Sequence, residues 1–268
     1  MKIALTVGHS LLKNGQTTSA VGLVNEYYYN RELAPYVKKW LEHAGHQVTL
    51  IQIPEKTHVS AKQEESYKLT RINGKGFDLV CELHLNCFNK TAQGAEVLYK
   101  SESGKRIAQR VQNKLKTQFK DRGVKQRTDL YILRDTEPVA ILLETFFCDN
   151  ATDYKKATSL GYDGVAKLIA EGIHGADIKA STTTTTTNTV KKKYYRVVVG
   201  SYSNRTNADK ALANAKAKGF NSAFLDVFEK KYYRVVVGSY SDRTNADKAL
   251  ANAKAKGFNS AFLDVFEK

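Results

Sequence analysis

The chain ends in a tandem repeat, and this feature constrains the fold more than any other. Residues 193–230 read KYYRVVVGSYSNRTNADKALANAKAKGFNSAFLDVFEK, and residues 231–268 repeat them with Asp242 in place of Asn204. Each 38-residue unit opens with a β-branched, aromatic run, continues with an alanine-rich segment and closes with a short apolar run, a βαβ pattern. A single unit would leave a hydrophobic face exposed. We therefore expect the pair to form one small α+β domain of order βαββαβ.

Cap residues mark the helix within each repeat. In the segment NADKALANAKAKG of the first repeat, Asn207 is the expected N-cap and Gly219 the expected stop. Between them, alanine and leucine recur at helical spacing, which predicts that one face of the helix packs on the sheet.

A change of composition separates the repeats from the rest of the chain. The segment STTTTTTNTVKKK combines a threonine run with lysines and has no apolar period. Such a segment is typical of a solvated, extended linker. We therefore expect an N-terminal domain at 1–178, a linker at 179–192 and the repeat domain at 193–268.

The chain is strongly basic, with 42 Lys and Arg against 27 Asp and Glu, a formal charge of +15. Such a charge implies anionic surroundings: nucleic acid, anionic lipid or an acidic cell wall. No apolar run approaches the ~20 residues that span a bilayer, so membrane insertion is not expected. The N-terminal MKIALTVGHS is too soon interrupted for a signal peptide. Synthesis in the cytoplasm is therefore expected.

The N-terminal 178 residues alternate between strand and helix patterns. Strands are predicted at 3–7, 48–53, 77–85, 94–100, 130–134 and 139–145, and helices at 26–44, 61–73, 103–118 and 162–174. Apolar strands between amphipathic helices indicate an α/β domain, with a mixed, largely parallel sheet covered by helices on both faces.

Four ionisable residues fall at the ends of predicted elements. His9 follows the first strand, His84 and Glu144 lie near the ends of their strands, and Glu26 opens the first helix. Sites form at the carboxyl ends of strands in such sheets. Two imidazoles and a carboxylate suit tetrahedral zinc, and a second carboxylate can serve as a base. No short motif such as HExxH is present, so the pattern alone leaves a metal site open.

The first 178 residues contain, in this order, the blocks VGHS, Glu26 with Asn30 four residues on, FDLVCELHLN, GAEVLY and DLYILRDTEPVAILLETFFCDN. Together and in this order, these blocks resemble the zinc-dependent N-acetylmuramoyl-L-alanine amidases of the amidase-3 family, which includes phage endolysins and sporulation autolysins. The resemblance covers roughly 2–174. It implies that His9, Glu26 and His84 hold one Zn²⁺ and that Glu144 is the catalytic carboxylate. The implied reaction cuts the amide bond between N-acetylmuramic acid and L-alanine.

Two further residues are candidates for supporting roles. Glu82 stands where the family usually has a small polar residue, and it shares a strand face with His84 by the period of 2. It is either a partner that orients an imidazole or an exposed carboxylate at the strand end. Arg134 is either a ligand for acidic groups of the substrate or a surface residue.

The repeat domain resembles a SPOR domain, a βαββαβ module. The resemblance implies binding to peptidoglycan, notably to glycan strands stripped of stem peptides. Alternation places six side chains on one face of the sheet, where they either bind sugars or complete a small core: Tyr194, Arg196, Tyr202, Tyr232, Arg234 and Tyr240.

Other functions remain as alternatives. A basic, aromatic βαββαβ sheet is also the plan of RNA-recognition motifs, although that hypothesis does not explain residues 1–178. A wall-anchoring protein without catalysis is a third class, and the joint presence of the four candidate residues argues against it. The resemblance therefore favours peptidoglycan, not nucleic acid, as the partner. Without a signal peptide, the enzyme would reach the wall of a Gram-positive host, such as a clostridium, after membrane breach or lysis.

Overall fold

The computed structural model describes residues 1–179, 193–228, 232–240 and 242–267. The chain divides into two compact units, Met1–Thr182 and Thr183–Lys268. Apart from Lys179, the expected linker lies outside the described residues. Within the described part of the chain, no helix combines the length and the hydropathy needed to cross a bilayer.

The first unit is built on one six-stranded sheet. Its strands are β1 (Lys2–Val7), β2 (Gln47–Ile51), β3 (Leu79–Asn86), β4 (Ala95–Tyr99), β5 (Asp121–Gln126) and β6 (Val139–Phe147). They lie in the order β2-β1-β3-β6-β4-β5, and all neighbouring pairs are parallel except β4 with β6. The helices are α1 (Glu26–His43), α2 (Lys62–Ile72), α3 (Glu102–Leu115), α4 (Tyr131–Arg134) and α5 (Ala151–His174).

Helices cover both faces of this sheet because successive strand residues point to opposite sides. In β1, Ile3 and Leu5 pack in the core beneath α1, α3 and α5. Ala4, between them, packs in a second core with Ile72 of α2 and Ile132 of α4. The expected fold class, a mixed and largely parallel sheet between helices, is confirmed.

The segment LYILR at 130–134 is a helix, and its prediction as a strand was wrong. The amide of Arg134 donates to the carbonyl of Leu130, closing a helical turn that buries the consecutive residues Ile132 and Leu133. A short apolar run does not distinguish a buried strand from a buried helical turn. The sheet instead gains β5, whose sequence DRGVKQ is polar and half exposed at the sheet edge, so that no apolar alternation marks it.

The helix predicted at 162–174 begins eleven residues earlier, at Ala151. Asn150 is its N-cap, and the side chain accepts from the amides of Thr152 and Asp153. Gly161 has φ of 65° and interrupts the helical geometry. This interruption explains why the apolar period is clear only in the second half of the helix.

The second unit has the expected order βαββαβ. Its elements are β7 (Lys193–Tyr202), α6 (Arg205–Ala217), β8 (Phe224–Phe228), β9 (Tyr232–Tyr240), α7 (Arg243–Ala255) and β10 (Phe262–Glu267). The four strands lie in the order β10-β7-β9-β8, with all pairs antiparallel. The closing strand of each repeat therefore pairs with the opening strand of the other repeat, and neither repeat completes a sheet by itself.

The helix of the first repeat begins earlier than expected. Its N-cap is Asn204, not Asn207, and the Asn204 side chain accepts from the amides of Thr206 and Asn207. In the second repeat Asp242 fills the same position and accepts from the amide of Asn245. The one difference between the repeats thus exchanges two side chains that cap helices comparably well.

Candidate metal and catalytic site

Three candidate ligands meet at one edge of the six-stranded sheet. His9 follows β1, His84 lies in β3 and Glu26 is the first residue of α1. Nε2 of His9 lies 3.1 Å from one Glu26 oxygen, and Nδ1 of His84 lies 2.9 Å from the other. One ligand atom from each side chain falls within 4.8 Å of the others. Among the described residues, no other group of three or more such side chains meets this criterion.

Local structure fixes the Glu26 carboxylate between the two imidazoles. The backbone amides of Leu85 and Ala20 donate to its two oxygens, at 3.0 and 3.2 Å. Burial alone would raise the pKa of this carboxyl, but hydrogen bonds and the nearby charges of His84 and His9 hold it well below its usual value. Glu26 is therefore an ionised carboxylate held in place by hydrogen bonds, and its oxygens can serve as metal ligands.

The close approach of the two histidine-bearing segments requires a glycine. A Cβ at Gly8 would lie 2.2 Å from Cε1 of His84, which is far inside van der Waals contact. His9, the next residue, has φ of 66°, in the left-handed region that few side chains adopt. Strain of this kind persists where the surrounding structure holds it, and it is concentrated at functional sites.

Gly8→Ala is therefore expected to displace the His84 ring and, if the three side chains hold a metal, to weaken the binding of added Zn²⁺ at least about tenfold, comparable to the loss of a supporting contact. Competition with a chromogenic chelator measures the affinity. A cooperative thermal transition, followed by circular dichroism, checks that the variant is folded. A folded variant with wild-type affinity would show that the ring position does not matter for the metal.

Glu144 lies directly beside this group. It is the Cα partner of His84 in the β3–β6 pairing. Its Oε2 atom is buried and has no hydrogen-bond partner among the described residues. Burial, with smaller contributions from the nearby carboxylates of Glu26 and Glu96, raises the pKa of Glu144 to about 7, although the charge of His84 acts in the opposite direction. A carboxyl with such a pKa can both accept and return a proton near neutral pH.

Glu82 is buried, with 2% of its surface exposed, which excludes the exposed strand-end alternative. One of its oxygens lies 3.0 Å from Nε2 of His84. The other accepts from Nζ of Lys68 at 2.6 Å and from the hydroxyl of Thr6 at 2.8 Å. Burial opposes ionisation, but the charge of Lys68 and the hydrogen bond to His84 keep the pKa of Glu82 well below its usual value.

Arg134 does not contact the group formed by His9, Glu26 and His84. It forms a two-pronged pair with Asp135, at 2.7 and 2.6 Å, and its side chain is about half exposed. These contacts correspond to the surface alternative. Lys68, by contrast, has no sequence signal of its own, because a lysine in a polar helical segment is ordinarily solvated.

In the repeat domain, the valines that follow Arg196 and Arg234 pack in the core beneath α6 and α7, which places the two arginines on the opposite face of the sheet. They pair with Asp226 and Asp264, at 2.7 and 2.9 Å. Two further aromatic residues lie on strands β8 and β10, at 40% and 42% exposure, and sequence reasoning missed them: Phe224 and Phe262.

The expected positions of Tyr202 and Tyr240 on that face were wrong. Both rings pack against the core on the helix side. The β7–β9 pairing shifts register twice between Val197 and Gly200, and such irregularities break the period of 2 on which the prediction rested. The side chains of Tyr194 and Tyr232 lie outside the described residues.

Comparisons with known proteins agree with this architecture. Residues 3–175 match the family Amidase_3, N-acetylmuramoyl-L-alanine amidase. The SPOR domain family matches residues 191–263 and, in an overlapping match, residues 165–226.

Individual relatives are similar over the first unit. The catalytic domain of the CD27L endolysin, which targets Clostridia difficile, is 50% identical with a TM-score of 0.66, covering 67% of this chain and 99% of that one. The "Probable autolysin PH" of Staphylococcus aureus is 28% identical over 66% of this chain and 39% of its own. An uncharacterised protein of Clostridium perfringens, CPE1502, is 29% identical over 67% of this chain and 53% of its own. The chain thus spans about half of the length of one of these curated relatives and less than half of the other.

The match over residues 3–175 covers more than half of the sequence and includes all the elements that carry His9, Glu26, His84 and Glu144. The chain belongs to the Amidase_3 family of N-acetylmuramoyl-L-alanine amidases.

Proposed function

We propose that the chain is a peptidoglycan hydrolase that cuts the amide bond between the lactyl group of N-acetylmuramic acid and L-alanine of the stem peptide. One observation carries the proposal: a His–Glu–His group with ligand atoms within 4.8 Å lies beside a carboxyl whose buried oxygen has no hydrogen-bond partner among the described residues. Membership of the Amidase_3 family supports the choice of the bond that is cut. We assign hydrolysis to residues 1–178, wall binding to 193–268 and a linker to 179–192.

The donor set fits one Zn²⁺ ion held by His9, Glu26 and His84. Two imidazole nitrogens and a carboxylate oxygen are the ligands of many catalytic zinc sites, which leave a further position open. The charge of the set is also suitable, because an ionised Glu26 faces both rings. Zinc bound there supplies Lewis acidity, which activates water and polarises a carbonyl.

Glu144 is the proton carrier in this proposal. Its Oε2 atom, for which the described part of the chain offers no hydrogen-bond partner, accepts a proton from the attacking water. The same carboxyl then returns the proton to the nitrogen of L-alanine as the C–N bond breaks. Burial gives it the near-neutral pKa that both steps need. Glu82 acts through His84. Its carboxylate accepts a hydrogen bond from Nε2 of the ring, so that Nδ1 faces Glu26.

We propose that the repeat domain binds peptidoglycan, with glycan strands stripped of stem peptides as its preferred form. The support is the SPOR match and the exposed face with two phenylalanines, Phe224 and Phe262, because aromatic rings stack on sugars. The test compares retention of the full chain on intact wall, on amidase-treated wall and on single-stranded RNA. Stronger retention on treated wall is expected, and preference for RNA would contradict the proposal.

The likeness to an endolysin domain and a probable autolysin supports action on a Gram-positive wall, clostridial in the first case. We propose release at membrane breach or lysis as the setting. A wall-anchoring protein without catalysis has no observation in its favour, given the complete set of four residues.

Metal removal tests the proposed reaction. Purified Gram-positive peptidoglycan is digested with the chain, with the chelator-treated chain, and with that chain after zinc is restored. Released peptides are sequenced by mass spectrometry. We expect peptides beginning with L-alanine, lost on chelation and recovered with zinc. Cut glycan, or cleavage within the stem peptide, would refute the assigned bond.

A further inference from the structure

Helix α2 buries an unusual face for a polar helix. Its buried residues are Glu64, Lys68 and Ile72, spaced four apart, so that a carboxylate, an ammonium group and one apolar side chain form a single stripe. Lys68 is fully buried and Glu64 is 7% exposed. Burying charged groups is unfavourable unless partners compensate, so the contacts of these two side chains indicate what they do.

Lys68 reaches the His84 ring through Glu82. Its Nζ donates to one Glu82 oxygen at 2.6 Å, while the other oxygen faces Nε2 of His84 at 3.0 Å. The Tyr131 ring lies 5.9 Å from the ammonium group. An ionised carboxylate accepts only, so Nε2 of His84 must donate. Nδ1, which faces Glu26, is then the nitrogen available to a metal.

Glu64 reaches the other ring through Thr18. One Glu64 oxygen accepts from the Thr18 hydroxyl at 2.5 Å and from the Ser10 hydroxyl at 2.7 Å. The Thr18 oxygen lies 3.4 Å from Nδ1 of His9. The threonine's single proton points to Glu64, so Nδ1 of His9 donates to Thr18 and Nε2 is left facing Glu26.

We propose that α2 is the positioning element of the metal site: Lys68 through Glu82, and Glu64 through Thr18, fix the orientation and tautomer of the two histidine ligands. The two series of hydrogen bonds engage different ring nitrogens. The series from Lys68 leaves Nδ1 of His84 for the metal, and the series from Glu64 leaves Nε2 of His9. One helix face, with two side chains a single turn apart, thereby controls both imidazoles. The inference rests on the proposed zinc site but not on the bond that is cut.

Zinc affinity and the visible spectrum of the Co²⁺-loaded chain test this role without any substrate. Lys68→Met and Glu64→Met are each expected to weaken zinc about 10- to 100-fold and to change the Co²⁺ bands. Glu64→Gln keeps an acceptor oxygen for Thr18, so this variant is expected to retain most of the wild-type zinc affinity. Lys62→Met and Glu65→Met are the matched controls on the same helix, because Lys62 is exposed and the Glu65 side chain is 43% exposed.

Two points keep the test decisive. If Lys68→Met does not fold, Lys68→Met combined with Glu82→Met removes both buried charges together with the acceptor for Nε2 of His84, and it should still bind zinc at least about tenfold more weakly. Wild-type affinity and spectrum in the α2 variants would overturn the positioning role, whatever the activity. Tight zinc binding by a wild-type chain that cuts no peptidoglycan would instead refute the proposed function.

Discussion

Glu144→Gln is expected to lose turnover while keeping the metal. Glutamine has nearly the same shape but cannot take a proton from water, and general acid–base catalysis contributes about 10²- to 10⁴-fold. The change does not touch His9, Glu26 or His84. The release of alanine amino groups gives kcat, and elemental analysis gives zinc per chain.

Glu102→Gln is the matched control, because Glu102 lies in the first turn of α3 with its side chain 72% exposed. It should behave as wild type in both measurements. Turnover by Glu144→Gln within about tenfold of wild type would remove Glu144 from the role of base. Loss of zinc in that variant would make it a structural part of the metal site.

His84→Ala is expected to lose zinc and activity together. His84 contacts Glu26 through Nδ1 and Glu82 through Nε2, so its removal takes away one proposed ligand and the hydrogen-bond partner of one oxygen of the buried Glu82. Loss of a ligand should weaken zinc beyond the ~100-fold that marks the loss of an outer contact. Loss of a hydrogen bond to a buried charged group also destabilises by about 1.5–3 kcal/mol.

The control for this variant is His43→Ala, since His43 is exposed at the end of α1. Elemental analysis, a chelator competition and a thermal melt are run on both proteins. A full zinc complement in His84→Ala would exclude it as a ligand. A lower melting temperature with zinc retained would assign it a structural role only.

The sequence predicted the residues of the site but not the buried side chains that hold them in position. The strand-end rule brought His9, His84 and Glu144 to one edge because parallel strands end together, and family resemblance assigned the ligand set. Lys68 and Glu64 could not be predicted. A helix rich in polar residues is expected to be solvated. Only the tertiary structure shows that Glu64 and Lys68 are buried and that they contact the side chains next to the two histidines.

The repeat domain shows a second limit of pattern reasoning. The order βαββαβ followed from the 38-residue period, and the pairing of strands between repeats explains why two units are needed. The faces of β7 did not follow from alternation. Its register shifts placed Tyr202 in the core, while Phe224, on β8, is exposed instead.

Hydrolysis of purified peptidoglycan in H₂¹⁸O identifies the bond that the chain cuts. In amide hydrolysis the oxygen of water enters the new carboxyl group. We expect ¹⁸O in the lactyl carboxylate of N-acetylmuramic acid on the glycan, and none in the released peptides, which begin with L-alanine. Label in a peptide carboxylate, or at the reducing end of a sugar, would refute cleavage of the amide bond.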